Sequence, residues 1–433
     1  MTEKPNIILF ITHDQGQFLG CYDFPHTPNS LTTPNLDKIA ENGVRFTNYF
    51  CTAPQCSPSR GSIITSKYPH QNGLMGLIDR GWTLPEENKT LPMYLKESGY
   101  STHLLGFQHE SFNAKTLGYD TISKRGPEWR YSPIKMEKSY REFFNEHKND
   151  ETPFYVCIGV PEVHRPFGVW AESVSPEIVK VPPYLPDNKI IREDLAKFYG
   201  AIQSIDTFIG NILKFLEDNN LRDNSLFIYT TDHGEPFPRA KCTLYDPGIK
   251  TLLIMSWLNS DIIQKGSIYN QMISNIDLLP TILEMVGAKV PDSLEGKSFL
   301  SILKENSSHF RKEIYTTKSF HEYYDPIRAI RTGKFKYIIN FEKFETSYQV
   351  PMDMLQDPIG KFIIEKIKKP RDHEELYDLE KDPREMNNLI NHSDYTNIYL
   401  QLKQKLFKWM ERTNDPILKG KIKDKRSTPP KRY

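Results

Sequence analysis

The chain concentrates side chains able to do chemistry in a few short runs: His13-Asp14-Gln15-Gly16, Cys56-Ser-Pro-Ser-Arg60, His109, His164 and Asp232-His233-Gly234. An acid or a histidine stands where each strand-like run ends, which is where a site is expected. The same residues also suit simpler roles, Asp14 as a cap on the turn after it and Asp232-His233 as a strand-end turn. Cys56 lies just before Gly61–Ile64, an apolar stretch that begins a helix, and a helix N-terminus favours anions. A cysteine there is either a thiol nucleophile of lowered pKa or a small core residue, and the pattern alone leaves both open. His109 and His164 carry the side chain best suited to moving a proton near neutrality.

These residues need rigid supports, and the hydrophobic pattern supplies them. Asn6–Thr12 is a near-continuous apolar run, the signature of a strand buried on both faces of a parallel sheet. Phe154–Val160, followed by Pro161-Glu-Val-His164, and Ser225–Thr231, followed by Asp232, read the same way. Each strand delivers an acid or a histidine at its carboxyl end, where ligands gather in open α/β sheets. Thr33-Pro34-Asn35 opens a helix over Leu36–Asn42 that Gly43 stops. Leu195, Phe198, Ile202, Ile205, Ile209 and Ile212 recur at helical spacing and predict an amphipathic helix over Asp194–Glu217, with another over Asp277–Gly287. Strands alternating with helices predict an α/β fold with a large, mostly parallel sheet flanked by helices over residues 1–310.

Beyond residue 310 the texture changes to short alternating runs such as Lys336–Asn340, with turn signals at Thr332-Gly333 and Asp382-Pro383. A smaller C-terminal α+β domain over 311–418 is expected, with a last amphipathic helix around Tyr399–Glu411. A basic tail over 419–433 is expected to be mobile. There is no repeat at a solenoid period.

Among the 433 residues, 56 Lys and Arg stand against 55 Asp and Glu, a net charge of +1. No global field then draws in nucleic acid or an anionic membrane, so any anion specificity is local. No window approaches the roughly 18 apolar residues of a membrane span, and the first residues lack the features of a signal peptide. The five cysteines (Cys21, Cys51, Cys56, Cys157 and Cys242) contain no C-x-x-C pair and make no disulfide scaffold. The expectation is a reduced cytoplasmic protein, or a periplasmic or secreted one if a leader has been trimmed.

Together, Cys56-Ser-Pro-Ser-Arg60 before a helix, the strand ending in His13-Asp14 and the strand ending in Asp232-His-Gly234 resemble the type I sulfatases of the alkaline-phosphatase-like superfamily. The resemblance spans nearly the whole chain and is strongest to the N-sulfoglucosamine sulfohydrolase (sulfamidase) branch and its bacterial relatives. It runs through Tyr68-Pro-His-Gln-Asn-Gly-Leu-Met-Gly76, Asp232-His-Gly-Glu-Pro-Phe-Pro238, Thr243-Leu-Tyr-Asp-Pro-Gly248 and Glu411-Arg-Thr-Asn-Asp-Pro416.

The resemblance implies that Cys56 is oxidised to Cα-formylglycine by a formylglycine-generating or anaerobic sulfatase-maturating enzyme, with Pro58 and Arg60 completing the modification signature. Hydrated, the aldehyde becomes a geminal diol, one hydroxyl of which attacks sulfur while deprotonation of the other later expels sulfate. Arg60 is implied to hold diol and sulfate oxygens. Asp14, Asp232 and His233, with modified Cys56, are implied metal ligands. Calcium is the expected ion, with magnesium or manganese as alternatives because His233 replaces a more usual Asn. His13 stands where the family has an acid, and three roles remain open: His13 ligates the metal, Asp14 and Gln15 do so, or His13 only hydrogen-bonds. His109 and His164 match the family's active-site histidines, and Lys241 matches a sulfate clamp, whereas Phe107 replaces a lysine. His321, Glu322 and Arg328 resemble a substrate-facing stretch.

The expected activity is sulfate release from a sulfated saccharide, most plausibly the N-sulfate of a glucosamine unit from heparin or heparan sulfate, taken as small imported fragments. The alternatives are an aryl sulfate, an O-sulfated sugar, or a phosphonate or phosphate ester. From a different class, a catalytically silent glycan-binding protein is a further possibility. The expected partners are the saccharide and the maturing enzyme, with no nucleic acid and no membrane span. The sequence does not assign an oligomeric state.

Overall fold

The computed structural model describes residues 4–22, 31–123, 133–167, 174–305, 307 and 310–426. Among them a large sheet contains nine strands: β1 (Asn6–Thr12), β2 (Val44–Phe50), β3 (Ser101–Gly106), β4 (Thr121–Ile122), β5 (Phe154–Gly159), β6 (Ser225–Thr231), β7 (Lys250–Ser256), β8 (Ser267–Tyr269) and β9 (Ile273–Ser274). The spatial order is β4-β3-β5-β1-β6-β7-β2-β8, with β9 also paired to β2. All pairings are parallel except those of β7, which runs antiparallel to β6 and β2. β1 is central, with Ile7–Ile11 opposite Tyr155–Gly159 and Asn6–Thr12 opposite Ser225–Thr231.

The continuous apolar runs are explained by burial on both faces. Ile7, Leu9 and Ile11 join one core cluster with Ile63, Ile64, Leu278 and Leu279, while Ile8 and Phe10 join another with the long helix. Alternate residues of a strand face opposite ways, so both sets must be apolar. The long helix, Lys189–Asp218, starts earlier than the apolar pattern predicts because the Asn188 side chain accepts a bond from the Ile191 N–H. Its buried Asp206 accepts hydrogen bonds from the Asn35 and Leu36 N–H groups at 3.1 and 2.8 Å, holding the start of the helix Pro34–Glu41. The expected helix over Asp277–Gly287 is a 3-10 turn, Asn275–Asp277, followed by Leu278–Met285.

A second, antiparallel sheet contains β10 (Glu313–Phe320), β11 (Tyr324–Thr332), β12 (Phe335–Asn340) and β13 (Glu374–Asp378). The helix Thr396–Arg412 buries Leu402, Leu406, Trp409 and Met410 against it. This layer is fastened to the large sheet beside Cys56. The Thr317 N–H donates to the Thr52 carbonyl at 2.8 Å, and Gln55 Nε2 to the Phe320 carbonyl at 2.7 Å. Asp246 pairs with Arg331 and Lys336 at 2.9 and 2.6 Å.

The described part of the expected mobile tail is docked. Pro416–Lys419 form a 3-10 turn, Ile422 is buried and donates its N–H to the Tyr324 hydroxyl at 3.0 Å, and Arg426 donates to the Glu322 carbonyl at 2.7 Å. Basic composition hid the single apolar anchor, Ile422. Residues 427–433 of that tail lie outside the described residues. No helix among the described residues is long and apolar enough to cross a membrane.

His70 packs against Tyr68 and Trp409, which also meet each other with centroids 4.8 Å apart, tying the large sheet's side of the molecule to the C-terminal helix. Neither of its ring nitrogens has a hydrogen-bond partner, and burial pulls the imidazole down from 6.5 to about 4. Between those values the unfolded chain binds a proton that the folded chain does not, so stability falls as pH drops from about 6.5 towards 4. His70→Phe is expected to flatten the melting midpoint over that window. An unchanged slope in a pH series of thermal melts would contradict this assignment.

Candidate functional site

The carboxyl ends of β1, β5 and β6 are stitched together beyond the sheet. The Asp14 N–H donates to Asp232 Oδ1 at 3.0 Å, the Gln15 N–H to Thr231 Oγ1 at 3.2 Å and the Gly16 N–H to the His233 carbonyl at 3.2 Å. On the other flank the His13 N–H donates to the Glu162 carbonyl and the Val163 N–H to the His13 carbonyl, at 2.8 and 3.0 Å, which sets His164 beside the cluster. Asp14 adopts a left-handed φ of 51°, a strained state for a non-glycine residue that these bonds maintain. Gly16, at φ 61°, has no room for a side chain: a Cβ would stand 2.5 Å from Glu235 Oε2.

The helix Cys56–Thr65 begins with the cysteine itself. Cys56 and Arg60 are one helical turn apart and share a face. That face meets the strand ends: Cys56 Sγ lies 3.4 Å from His233 Nε2 and 3.9 Å from Asp14 Oδ1, and Arg60 Nε donates to Asp232 Oδ2 at 3.2 Å. Arg60 Nη2 also donates to the Ile11 and Thr12 carbonyls at 3.4 and 3.3 Å. Its Nε and Nη2 thus serve Asp232 and two main-chain carbonyls, making the guanidinium a counter-charge to Asp232 beside Cys56.

Donor atoms of His13, Asp14, Cys56 and Asp232 all lie within 4.8 Å of one another, and His233 Nε2 is 2.9 Å from Asp14 Oδ1. All five residues are buried. His13 Nδ1 is 3.1 Å from Asp232 Oδ2, yet neither ring nitrogen makes an aligned hydrogen bond. Burial brings the His13 imidazole down to about 4, leaving it neutral with an unused lone pair among the donors. Gln15 does not join them: its Oε1 accepts from Thr12 and Tyr229 at 2.8 and 2.7 Å, which turns the side chain into the core. Of the two residues, His13 stands among the clustered donor atoms and Gln15 does not.

Burial opposes ionisation of Asp14 and Asp232, but the surrounding cations win. Lys241 and His233 hold Asp14 well below the usual carboxylate range, and His13, His233 and Arg60 bring Asp232 to about 2. Burial, reinforced by Asp14, pushes the Cys56 thiol well above its ordinary value. An unmodified Cys56 is thus a poor nucleophile, contrary to the low-pKa thiol reading of its position at a helix start. Two ionised carboxylates and orphaned imidazole nitrogens form a donor set that fits a divalent cation of the calcium, magnesium or manganese class.

Lys241 forms the wall of the cluster. Its Nζ donates to Asp14 Oδ2 at 2.6 Å, Asp353 Oδ2 at 2.7 Å and His164 Nε2 at 3.0 Å. His164 Nδ1 donates to the Arg165 carbonyl, so its Nε2 is the acceptor for Lys241. His109 is half-buried, its Nδ1 is buried without a hydrogen-bond partner, and its ring centre is 5.9 Å from that of His13. Burial, with His13 and Arg60 adding to it, keeps His109 neutral. Phe107, at the expected lysine position, packs against His13 with centroids 4.7 Å apart and the ring planes at 67°. The side chains of His164 and Asp353, 29% and 18% exposed, mark the open side, since Asp14 and Asp232 have no exposure.

The three weaker substrate assignments separate. Arg328 donates to Asp415 Oδ1 at 2.8 Å and to the Lys318 and Ile327 carbonyls, and has no exposure. It fastens the end of the C-terminal helix and does not face a substrate. Glu322 is paired with Arg80 at 3.1 Å and accepts from the Met352 N–H at 3.3 Å. His321 is buried, its Nδ1 lies 3.6 Å from Glu322 Oε1 without a hydrogen bond, and burial, with the nearby Lys241 next, holds the imidazole in the neutral form. Asp353, which the sequence analysis missed, comes from the short helix Met352–Leu355, where no motif or periodicity signals it.

A family model described as sulfatase matches residues 5–288, and a second, described as the C-terminal part of N-sulphoglucosamine sulphohydrolase, matches residues 237–370. An ulvan-active sulfatase of Formosa agariphila is 31% identical over 98% of this chain and 83% of that protein. The human N-sulphoglucosamine sulphohydrolase is 25% identical over 95% of this chain and 91% of its own length. A solved structure of a protein in complex with its substrate D-glucosamine-2-N,6-O-disulfate shares the fold with a TM-score of 0.74 at 21% identity, covering 95% of this chain and 98% of that one.

Removing Arg60 leaves Asp232 buried without its counter-charge, a loss of about 3–5 kcal/mol. Arg60→Ala is expected to destabilise the cation-free protein by that order in chemical unfolding, with part of the loss recovered in Arg60→Ala/Asp232→Asn. Equal destabilisation in the single and double variants would contradict the pairing.

Proposed function

The chain belongs to the sulfatase family, and from that premise we propose that it removes the N-sulfate of a glucosamine unit in heparin- or heparan-type fragments, with Cys56 converted to Cα-formylglycine and a divalent cation at His13, Asp14, Asp232 and His233. The observation that carries the substrate is the C-terminal match over residues 237–370, which includes both Lys241 and Asp353, the two side chains set against His164. The modified Cys56 would supply a nucleophilic hydroxyl, and the cation, calcium first among candidates, would act as a Lewis acid on a sulfate oxygen. The oxygen-rich donor set supports that ion class.

In this reading the protein's own side chains orient and neutralise. Lys241 carries three N–H donors, one of which Asp14 now takes. Once Asp14 serves the cation, that donor turns to a sulfate oxygen. His164, on the open side, exchanges the proton that the departing amine or hydroxyl requires, and neutral His109 offers a second ring nitrogen to the same space. Because Cys56 is 2% exposed, the maturing enzyme would have to act before the fold closes over it. All five cysteines are free, which suits work on imported fragments in a reducing compartment.

A second reading, an O-sulfate ester of a polysaccharide, is favoured by the higher identity to the ulvan-active sulfatase. A sulfate-release panel with N-sulfoglucosamine, O-sulfated sugars, an aryl sulfate and a phosphonate monoester separates the two. N-sulfoglucosamine is expected to turn over, Cys56→Ala to be inactive, and His164→Ala to lose about 10²–10⁴-fold in kcat. If N-sulfoglucosamine is inert while an O-sulfated sugar is hydrolysed, the second reading replaces the first.

A further inference from the structure

The charges around the cation position do not favour a cation until Asp353 is counted. Asp232 is matched by Arg60 at 3.2 Å, and Asp14 by Lys241 at 2.6 Å. With the histidines taken as the neutral donors that ligation requires, two anions against two cations give a neutral cluster. Calcium affinity follows the charge of the ligand set, so such a cluster offers a divalent ion little. Worse, the ammonium of Lys241 already occupies one oxygen of a ligand carboxylate.

Asp353 changes both conditions. Its Oδ2 lies 2.7 Å from Lys241 Nζ and 3.4 Å from His164 Nε2, so Lys241 is held between two carboxylates: Asp14, which groups with His13, Cys56 and Asp232, and Asp353, which with Asp14 and His164 makes a second group of donor atoms within 4.8 Å of one another. The third carboxylate brings the cluster to a net negative charge. It also gives the ammonium somewhere to stay when Asp14 turns to the ion. The side chain arrives from the segment between β12 and β13, distant in sequence from the strand ends that carry the ligands.

We propose that Asp353 is a positioning residue for cation loading: it retains Lys241 beside the cluster, releases Asp14 to the ion and supplies the excess negative charge that a divalent cation needs. This rests on the cation assigned in the proposed function, not on the substrate. Lys241 thus stays available to the sulfate in the loaded protein instead of neutralising a ligand.

The test is calcium binding to the full-length protein, by calorimetric titration and by the rise in melting midpoint that calcium produces. Asp353→Asn is expected to weaken calcium about 10–100-fold, while Asp353→Glu, which keeps the charge, stays near the wild type. Adding Lys241→Met to Asp353→Asn removes the competing ammonium and restores the net negative charge, so the double variant is expected to regain most of the lost affinity. If Asp353→Asn does not fold, Asp353→Ser makes the same charge change with a smaller side chain. Wild-type affinity in the neutral variants would overturn the proposal, as would a loss that Lys241→Met does not repair, or a wild type that binds no calcium, magnesium or manganese. Because binding is read directly, a protein that loads calcium normally but releases sulfate from no sugar would sink the proposed function and leave this inference standing.

Discussion

Asp14 and Asp232 are ionised, have no solvent exposure, and lie close enough for the backbone N–H of one to bond the side chain of the other at 3.0 Å. Removing a charged carboxylate from water costs several kcal/mol even after relaxation, so the surrounding chain must return that energy. The His233 N–H donates to Asp232 at 2.9 Å, Arg60 comes from the helix starting at Cys56, and Lys241 comes from the loop after β6. Much of the geometry follows. Because Arg60 must meet Asp232, the residue one turn earlier, Cys56, is carried to the same cluster. The spacing that puts a cysteine and an arginine on one helical face is therefore an electrostatic requirement.

The sheet supplies the rigidity for this arrangement. Parallel pairing of β1 with β5 and β6 brings three carboxyl ends side by side, so His13, Asp14, Asp232 and the His164 loop start from one backbone frame. The second sheet contributes by closure. A backbone bond from Thr317 and a side-chain bond from Gln55 fix the segment ahead of Cys56, and the connection between β12 and β13 delivers Asp353 to the open side. The family relationship, the fold and the buried charge cluster thus describe one construction, in which the clustered acids and histidines come from the large sheet and Asp353 comes from the smaller one.

The strand ends were legible in the sequence because each polar pair interrupts an apolar run buried on both faces. Runs of that length, ending abruptly in His-Asp or Asp-His, fit strands better than helices. Cys56 was legible as a helix start, but its chemistry was not: position suggested a lowered pKa, whereas burial beside Asp14 raises it. Arg328 was misread because an arginine in an alternating strand shows nothing of Asp415, its partner far along the chain. Asp353 was invisible for the same reason, since its role exists only where a four-residue helix meets Lys241. Ile422 shows the opposite limit, where one buried side chain outweighs a basic composition. Periodic local pattern survives in a sequence, while the pairing of distant charges does not.

We propose that the buried cluster is built around a modified Cys56. This proposal is tested most directly by peptide mass spectrometry of the segment containing Cys56, from protein co-produced with a formylglycine-generating enzyme, on a sample also assayed for sulfate release from sulfated saccharides. The account predicts the mass change for exchanging sulfur and two hydrogens for one oxygen, with sulfate release that tracks the converted fraction. An unconverted thiol in a preparation that releases sulfate at full rate would contradict it.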